Sequence, residues 1–283
     1  MSPAIFVVST PIGNLNDVSQ RCTQTLDAVD IIAAEDTRRA RQLLNHLGIQ
    51  KKEVISYYDE VEEEKSSWLC ERLLREEKTL ALISDAGTPC ISDPGYRLIK
   101  AAHDRGIAVH PVPGASSLTA LVSCSGLPSD RFLFVGFLPN KKQALLDEIK
   151  SWRAAAHTIV FYSATRRLAK TLKAIAGVYA QAKVCVGREL TKIHEEIFTL
   201  PVDRAIEFVE SHETLKGEAT VVVYVPKDKA ALSTESKENL VEMLEKDMAG
   251  GATFKDLLAI YKDSGLSRSE LYQMMLDIKH KDS

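Results

Sequence analysis

The stretch SDAGTPCISDPG at residues 84–95 directly follows the apolar run Thr79–Ile83 and decides how the fold is interpreted. Its prolines fix φ and its glycines allow positive φ and close backbone approach, so the connection keeps one shape before any ligand arrives. Ligands of open α/β sheets bind just past the carboxyl ends of the strands. A shaped acidic loop at such a place predicts a site for a ligand with positive charge or hydroxyl groups, although a tight strand-to-helix turn would use similar residues.

Around this loop, apolar runs alternate with helical patterns, which predicts βαβ units and a largely parallel sheet. The predicted strands are Ile5–Ser9, Ile31–Glu35, Val54–Tyr57, Thr79–Ser84 and Ala108–Val112. The predicted helices are Ser19–Ala28, Thr37–Leu47, Lys65–Glu77, Tyr96–Arg105 and Ser117–Ser125.

A second series begins after Gly126-Leu127-Pro128 and predicts a separate mixed sheet. Its strands are Phe132–Leu138, Thr158–Tyr162, Lys183–Arg188, Glu196–Leu200 and Ala219–Val225, and its helices are Gln143–Ala155, Arg166–Ala176 and Val202–Glu210. We therefore expect two consecutive α/β domains, residues 1–128 and 129–226, with a ligand-binding cleft between them.

Residues 227–283 are predicted to form a linker and a small C-terminal helical extension. The polar stretch Lys227–Glu238 is typical of a linker. The later pair Thr253–Ser264 and Ser267–Lys279 resembles a helix-turn-helix, and Ser267 begins a capping-box pattern. Acidic residues outnumber basic ones beyond Lys227, which favours a small helical cap over a helix that reads a nucleic-acid groove.

The composition is that of a globular protein, with 283 residues and a net charge of −3. Five scattered cysteines without a CxxC pair indicate reduced thiols in a cytosol, and no histidine or cysteine spacing predicts a metal site. We expect neither a membrane span nor a signal peptide. A nucleic-acid partner would have to be bound by a local basic patch, because the overall charge is acidic.

Other loops at predicted strand ends carry candidate groups. The first strand runs into STPIGNLND at residues 9–17, and the chain has neither GxGxxG nor GxxxxGK[ST], which argues against the usual nucleotide cradles. The segment AEDTRRAR at residues 34–41 fits a polyanion site beside an acid/base group, but equally fits helix-terminal acids followed by a solvated face. No histidine pattern accompanies Ser116 or Ser117, so we reject a serine nucleophile.

Basic residues recur at strand ends in the second half, where Arg166, Arg167, Arg188 and Lys192 follow predicted strands. A single basic cluster is usually a solvated surface. Because these clusters recur at strand ends, they also fit a surface that binds phosphates, and both interpretations stay open.

Taken in order, these segments resemble the tetrapyrrole methylase family, and within it the bacterial branch that methylates small-subunit ribosomal RNA. Seven segments of roughly the first 225 residues carry the resemblance: TPIGNLND, AEDTR, SDAGTPCISDPGY, PGASS with SGLPSDRF, GFLPNKK, FYSATRRL and RELTK. The porphyrin-modifying branch has a glycine-proline-glycine-aspartate turn after its first strand. This chain has Thr10-Pro11-Ile12-Gly13-Asn14 there, which favours the RNA branch.

The resemblance implies that S-adenosylmethionine, as methyl donor, binds in the cleft between the two α/β domains. The residues it implies at the donor are Pro11, Ala86, Gly87, Thr88, Ile91, Ser116, Ser117, Tyr162, Ser163, Gly217, Glu218 and Ala219. On physical grounds, Asp85 or Asp93 would oppose the donor's sulfonium or amino group.

The implied acceptor is the ribose 2′-hydroxyl of a cytidine in the decoding centre of 16S rRNA, modified by a cytoplasmic homodimer without a metal. Asp36 and Glu189 are our candidates for the base that accepts the hydroxyl proton, because both are acids at strand ends beside arginines. The candidates for binding RNA phosphates are Arg38, Arg39, Arg166, Arg188 and Lys192.

Three alternatives remain. A methyltransferase of a tetrapyrrole-like small molecule would need a larger apolar cleft and would depend little on salt, whereas RNA binding weakens steeply with salt. A diphthine-synthase-like enzyme is disfavoured by AEDTRRAR and GFLPNKK. A regulatory protein that senses S-adenosylmethionine would bind the donor without transferring its methyl group, and likeness of fold alone does not exclude it.

Overall fold

The structure is a computed structural model that describes residues 2–155, 158–212, 217–226, 234–261, 264, 266 and 268–281. The chain divides into two compact units, Met1–Val225 and Pro226–Ser283. In the described part of the chain, no helix is both long and apolar enough to cross a membrane.

The first half of the larger unit forms a five-stranded parallel sheet, as the sequence predicts. Its strands are β1 (Ala4–Val8), β2 (Ile31–Ala34), β3 (Glu53–Ser56), β4 (Thr79–Ile83) and β5 (Ala108–Val112). Their order across the sheet is β3-β2-β4-β1-β5, and every neighbouring pair is parallel. Strands β2 and β4 are buried along their whole length, because helices cover both faces of the sheet.

The helices leave this sheet on opposite faces, and this determines where a ligand can bind. Helices α1 (Gln20–Ala28) and α2 (Thr37–His46) pack on one face, while α3 (Asp59–Glu76) and α4 (Tyr96–Asp104) pack on the other. The neighbouring strands β1 and β4 therefore send their connections in opposite directions. Such a topological switch point opens a crevice at the carboxyl ends of the two strands.

The second sheet is mixed, also as predicted. Its strands are β6 (Phe132–Phe137), β7 (Thr158–Ala164), β8 (Lys183–Arg188), β9 (Glu196–Pro201) and β10 (Glu218–Tyr224). They lie in the order β6-β7-β10-β8-β9, with β6–β7 parallel and the other pairs antiparallel.

Helices cover both faces of the second sheet. One face carries α6 (Lys142–Ala155), α7 (Thr165–Val178) and α8 (Val202–Glu210). The other carries α5 (Ser117–Cys124), whose Leu121 packs with Val160 and Val222. Helix α5 therefore belongs by packing to the second sheet although it lies before residue 128, and the domain limits at 128 and 226 stay predictions.

Some expected bounds need correction. Helix α3 begins at Asp59 and not at Lys65, because the acidic residues Asp59, Glu60 and Glu62 lie in its first turn, where the helix dipole favours negative charge. The stretch Lys227–Glu238 is not all linker, because helix α9 (Thr234–Ala249) already begins at Thr234. Residues 227–233 lie outside the described residues.

The smaller unit also contains α10 (Phe254–Ile260) and α11 (Arg268–Lys281), which share a core with α9. Helix α10 ends at Ile260, four residues before the predicted end at Ser264. The described capping box is at Thr253 and Asp256, whereas the box predicted at Ser267 lies outside the described residues. Leu271, Met275 and Ile278 of α11 are buried in this core.

Candidate functional site

Three loops meet at the carboxyl edge of the first sheet and are tied together by hydrogen bonds. Thr10, after β1, exchanges two backbone hydrogen bonds with Gly87, after β4, with N···O distances of 2.8 and 3.1 Å. The hydroxyls of Ser9 and Thr88 lie 2.9 Å apart, and Thr88 Oγ1 donates to the carbonyl of Ala115, 3.2 Å away, in the loop after β5. Hydrogen bonds thus join the loops after β1, β4 and β5 into one continuous surface at the switch point.

The 84–95 loop has unusual backbone geometry. Besides Gly87 and Gly95, the non-glycine residues Cys90 and Ser92 have positive φ, 68° and 63°. A Cβ on Gly95 would lie 2.5 Å from Cys90 Sγ and 2.7 Å from Leu82 Cδ2, so only glycine fits there. Strained residues of this kind persist where surrounding structure holds them, and they concentrate at functional sites.

A buried carboxylate anchors the end of this loop. Glu62 on α3 is 8% exposed, and its Oε1 accepts hydrogen bonds from the backbone N–H groups of Gly95 and Arg97, at 2.8 and 3.0 Å. These groups lie at the start of α4, where the first N–H groups of a helix lack partners within the helix. Glu62 therefore caps α4 and fixes the point at which the loop ends.

The three loops and the second sheet enclose a cleft of about 340 Å³. Its lining contains five carboxylates and two cations. The residues that line it are Ile12, Glu35, Arg39, Asp85, Ala86, Gly87, Thr88, Ile91, Ser92, Asp93, Ser116, Ser117, Phe137, Tyr162, Gly187, Glu189, Leu190, Lys192, Glu218, Ala219 and Thr220.

Three of the carboxylates, those of Glu35, Asp85 and Asp93, lie in the loops that follow β2 and β4. Burial raises the pKa of Asp93 to about 6, and the charges of Asp85 and Glu218 act in the same direction. Burial also raises the pKa of Glu35, with Asp85 and Asp93 adding to the shift. Like charges held together in a half-buried place are costly, so this group is suited to a cation.

Asp85 and Asp36 have different surroundings. Asp85 accepts the backbone N–H of Asp36 at 3.0 Å and forms an ion pair with Arg39 at 3.2 Å. Asp36 does not line the cleft. It is the N-cap of α2, and hydrogen bonds from Arg38 to its carboxylate hold its pKa far below the usual range.

Glu189 stands on the opposite side of the cleft, after β8. Its Oε1 accepts hydrogen bonds from Lys192 Nζ at 2.9 Å and from the backbone N–H of Glu218 at 3.2 Å. Although burial opposes the shift, these contacts hold the pKa of Glu189 below its usual range. Gly217, at φ +99°, leaves room for this carboxylate, because a Cβ there would lie 2.6 Å from Glu189 Cδ and closer still to Oε1.

Aromatic rings form the apolar part of the cleft. An extra residue between Phe134 and Phe137 shifts the register of β6 against β7 at Gly136, whose φ is +63°. A bulge of this kind re-aims the side chains that follow it. Phe137 packs edge-to-face on Tyr162 with ring centroids 5.5 Å apart, and both rings line the cleft.

The structure brings together most of the residues predicted to bind the donor. Ten of the thirteen line the cleft: Asp85, Ala86, Gly87, Thr88, Ile91, Ser116, Ser117, Tyr162, Glu218 and Ala219. The other three, Pro11, Ser163 and Gly217, are not in its lining. Pro11 and Ser163 are buried, and Ser163 points away from the cleft because side chains of neighbouring residues on β7 face opposite sides. The ligand contacts of all thirteen stay predictions.

The five predicted RNA-binding residues are distributed differently. Arg39 and Lys192 line the cleft, whereas Arg38, Arg166 and Arg188 do not. Arg188 is paired with Glu196 at 3.2 Å and its side chain is only 19% exposed.

Sequence reasoning did not select several residues of the lining as site residues. Glu35 ends a predicted strand directly before Asp36, so its position at a strand end could have indicated a site residue. The sequence indicated Asp93 only as a negative charge opposite the donor's sulfonium or amino group. No sequence pattern indicated Phe137 as a site residue, because the direction of its side chain depends on the bulge in β6. The described residues contain no group of three or more His, Cys, Asp or Glu side chains arranged to hold a metal ion.

Comparison with known proteins gives consistent results. Residues 4–206 match the family of Tetrapyrrole (Corrin/Porphyrin) Methylases. The chain is 38% identical over 280 residues to "Ribosomal RNA small subunit methyltransferase I" of Mesorhizobium japonicum, covering 99% of this chain and 93% of that protein. It is 42% identical over 221 residues to the protein of the same name from Escherichia coli O157:H7, covering 77% of each.

Solved structures share the fold at low sequence identity. A diphthine synthase superposes with a TM-score of 0.62 and 17% identity, covering 79% of this chain and 90% of that one. A uroporphyrin-III C-methyltransferase from Thermus thermophilus, complexed with S-adenosylhomocysteine, gives a TM-score of 0.54 and 15% identity, covering 78% of this chain and 97% of that one. These likenesses establish the two-sheet architecture.

Proposed function

Since the chain belongs to the tetrapyrrole methylase family, in the branch of the ribosomal RNA small subunit methyltransferases I, we propose that it methylates 16S rRNA with S-adenosylmethionine as donor. The proposed acceptor is the ribose 2′-hydroxyl of a cytidine in the decoding centre. The observation that carries the donor assignment is the group Glu35, Asp85 and Asp93, gathered at the carboxyl edge of the first sheet.

The charge of the cleft suits this donor, which carries a sulfonium and an ammonium group. Without a cation, Asp93 and Glu35 hold their protons more tightly than free carboxyls because burial and neighbouring acids disfavour their charge. A bound cation relieves that repulsion. The cleft therefore favours the donor over the demethylated product, which has lost the sulfonium charge, and this difference would help product release.

The apolar surfaces of the cleft suit the adenosine part of the donor. Tyr162, Phe137, Ile91 and Leu190 offer rings and aliphatic groups to a flat base. Residues 86–88 lie at the same edge, where the backbone of Ala86 and Thr88 would offer polar groups to the rim of the base; the backbone groups of Gly87 are bonded to Thr10. Apolar groups that hold a ligand, with a few polar groups placed beside them, are the usual basis of specificity for a small ligand.

The protein's part in the reaction would be alignment and proton transfer. The bound donor supplies an activated methyl group, so no other electrophile is needed. Holding the hydroxyl in line with that group can contribute about 7–11 kcal/mol. Glu189 would accept the proton that the hydroxyl loses, an effect of about 10²–10⁴-fold. We prefer Glu189 to Asp36 because only Glu189 lines the cleft.

Phosphate contacts would lie outside the cleft. The side chain of Arg38 is 85% exposed, and Arg166 is exposed in the first turn of α7. With Lys192 at the edge of the cleft, these residues would position the RNA backbone. Arg188 would contribute less, because its side chain is only 19% exposed and is paired with Glu196.

We also propose that the protein acts as a homodimer in the cytoplasm, where small ribosomal subunits are found. The dimer proposal rests on the family resemblance. Light scattering of the purified protein tests it, and a mass of about one chain at working concentration would contradict it.

The test of function is transfer of labelled methyl from S-adenosylmethionine to 30S subunits from cells that lack the gene, mapped by nuclease digestion and mass spectrometry. A 2′-O-methylcytidine at one decoding-centre position is expected. Asp93→Asn should weaken donor binding, whereas Asp104→Asn, at an exposed position of α4, should not. Donor binding without transfer to 30S subunits or 16S rRNA would contradict the proposed acceptor.

A further inference from the structure

A second cavity of about 840 Å³, here called the side groove, adjoins the donor cleft. It lies between residues 13–16, His46 and the loop 189–194. We propose that the side groove holds the acceptor nucleotide and that Ile193 at its rim replaces the stacking partner that this nucleotide loses. This inference rests on the proposed function and names the place where its RNA substrate binds.

The two cavities share residues. Glu189 and Lys192 line both the donor cleft and the side groove. The side chain of Glu189 is 20% exposed and that of Lys192 is 40% exposed, and they lie 2.9 Å apart. A ribose in the side groove would therefore lie next to the carboxylate proposed as the base, with the donor on the other side of it.

The chemistry of the side groove differs from that of the donor cleft. The cleft is lined by five carboxylates, whereas the side groove has Glu189 as its one acid in the part of the chain that the structure describes. Its other polar groups are those of Asn14, Asn16, His46, Thr191 and His194, together with Lys192. Amides and imidazoles can hydrogen-bond the edges of a base, and imidazole rings can stack on it, which suits an unpaired ribonucleotide.

The side groove is held in shape by contacts between loops far apart in sequence. The backbone N–H of Asn14 donates to Thr191 Oγ1 at 3.0 Å. A Cβ on Gly13 would lie 2.5 Å from Lys192 Cγ and 2.8 Å from Thr191 Oγ1, so the loops pack without spare room. Glu189 and Thr191 have positive φ, 49° and 66°. The geometry is therefore set before RNA binds, which lowers the entropic cost of binding.

Ile193 has no packing role in the described structure. Its side chain is 98% exposed, the highest value among the large hydrophobic side chains described as exposed. Lys192 and His194 flank it, and both are exposed as well. Aliphatic side chains on nucleic-acid-binding loops can insert between bases and take the place of a stacking neighbour. Ile193 lies between Lys192 and His194 on a loop whose shape is set by the contacts described above, so it fits that role beside an extruded nucleotide.

Ultraviolet cross-linking of the full-length protein to 30S subunits, in the presence of S-adenosylhomocysteine, tests the location directly. Mass spectrometry of the cross-linked peptides should find 16S rRNA attached within residues 13–16 or 189–194. Cross-links confined to other parts of the chain would overturn the proposal.

Substitutions test the contribution of single side chains. Ile193→Ala and His46→Ala should each raise the KM for 30S subunits about three- to tenfold, the usual range for one modest contact, and leave the Kd for S-adenosylmethionine unchanged. Leu74→Ala is the matched control for Ile193, because Leu74 is an exposed aliphatic residue on α3. His103→Ala is the control for His46, because both histidines are exposed in the last turn of a helix.

The outcomes separate this inference from the proposed function. If the wild-type protein methylates 30S subunits and the two groove variants match their controls, the inference is wrong and the function stands. A change in oligomeric mass caused by Ile193→Ala would assign the rim to a second copy of the chain and overturn the inference. If the wild type transfers no methyl group to 30S subunits or 16S rRNA, the proposed function fails and this inference fails with it.

Discussion

Replacing Gly217 by alanine should abolish most methyl transfer, because the added methyl group would displace the neighbouring carboxylate of Glu189. The added Cβ would lie 2.6 Å from Glu189 Cδ and closer to Oε1, nearer than packed carbon atoms approach. Glu189 must then leave its place, and its Oε1 loses the hydrogen bonds from Lys192 at 2.9 Å and from the Glu218 backbone at 3.2 Å. The proposed base would no longer be aligned with the acceptor.

The size of the effect follows from the role given to Glu189. Loss of a positioned general base costs about 10²–10⁴-fold in rate, so Gly217→Ala and Glu189→Gln should each lower kcat by at least about 10²-fold. The double variant should be little worse than either single one, because both remove the same interaction. Alanine at φ +99° also costs about 1–3 kcal/mol of stability, which must be separated from the effect on rate.

Gly106→Ala is the matched control. Gly106 also has positive φ, +67°, but a Cβ there would meet no atom within 4 Å. Gly106→Ala should lower the melting temperature through the strain of positive φ alone, and it should leave single-turnover methyl transfer to 30S subunits unchanged at saturating donor. Full kcat in Gly217→Ala would refute the positioning argument, and full kcat in Glu189→Gln would refute the assignment of the base.

Three further perturbations address the donor cleft and its support. Ionised Asp93 attracts a cation and protonated Asp93 does not, so donor affinity measured by calorimetry should rise with pH through about 6 and then level off. Asp93→Asn should flatten this pH profile, and an unchanged profile in the variant would exclude Asp93 as its source. Glu62→Ala should lower the free energy of unfolding by about 2–4 kcal/mol in urea titrations, because two N–H groups at the start of α4 lose a charged acceptor, whereas the 83%-exposed Glu63 should tolerate alanine. Tyr162→Ala should weaken donor binding about tenfold through loss of ring contact, while an unchanged Kd would remove the ring from the donor site.

The pattern of strands and helices could be predicted from the sequence because it depends on local periodicity. The run Thr79–Ile83 is apolar from Leu80 onward and is buried throughout, as expected for a parallel strand covered on both faces. Helix α3 shows the limit of this reasoning. The acidic residues that begin it at Asp59 carry no apolar periodicity, so their helical state followed only from their place at the positive end of the helix dipole.

Candidate site residues could be predicted where they lie on loops directly after strands. Residues 85–88 and 116–117 line the cleft for this reason, since parallel strands bring their carboxyl ends to one edge. The direction of a side chain was harder to predict. Ser163 and Tyr162 are neighbours in sequence, yet only Tyr162 lines the cleft, because side chains alternate along a strand.

By itself the sequence determined the class of fold, the family and the loops that carry the site, since these depend on local pattern and on short motifs. Only the tertiary structure decided which acids face a ligand. Asp36 and Glu189 look alike in sequence, but Asp36 caps a helix beside Arg38, whereas Glu189 lies in the cleft between Lys192 and the glycine at 217. The physical reason is that the hydrogen bond from the Glu218 backbone to Glu189 joins residues at the ends of two strands far apart in sequence, and only the folded sheet brings them within hydrogen-bonding distance of one another.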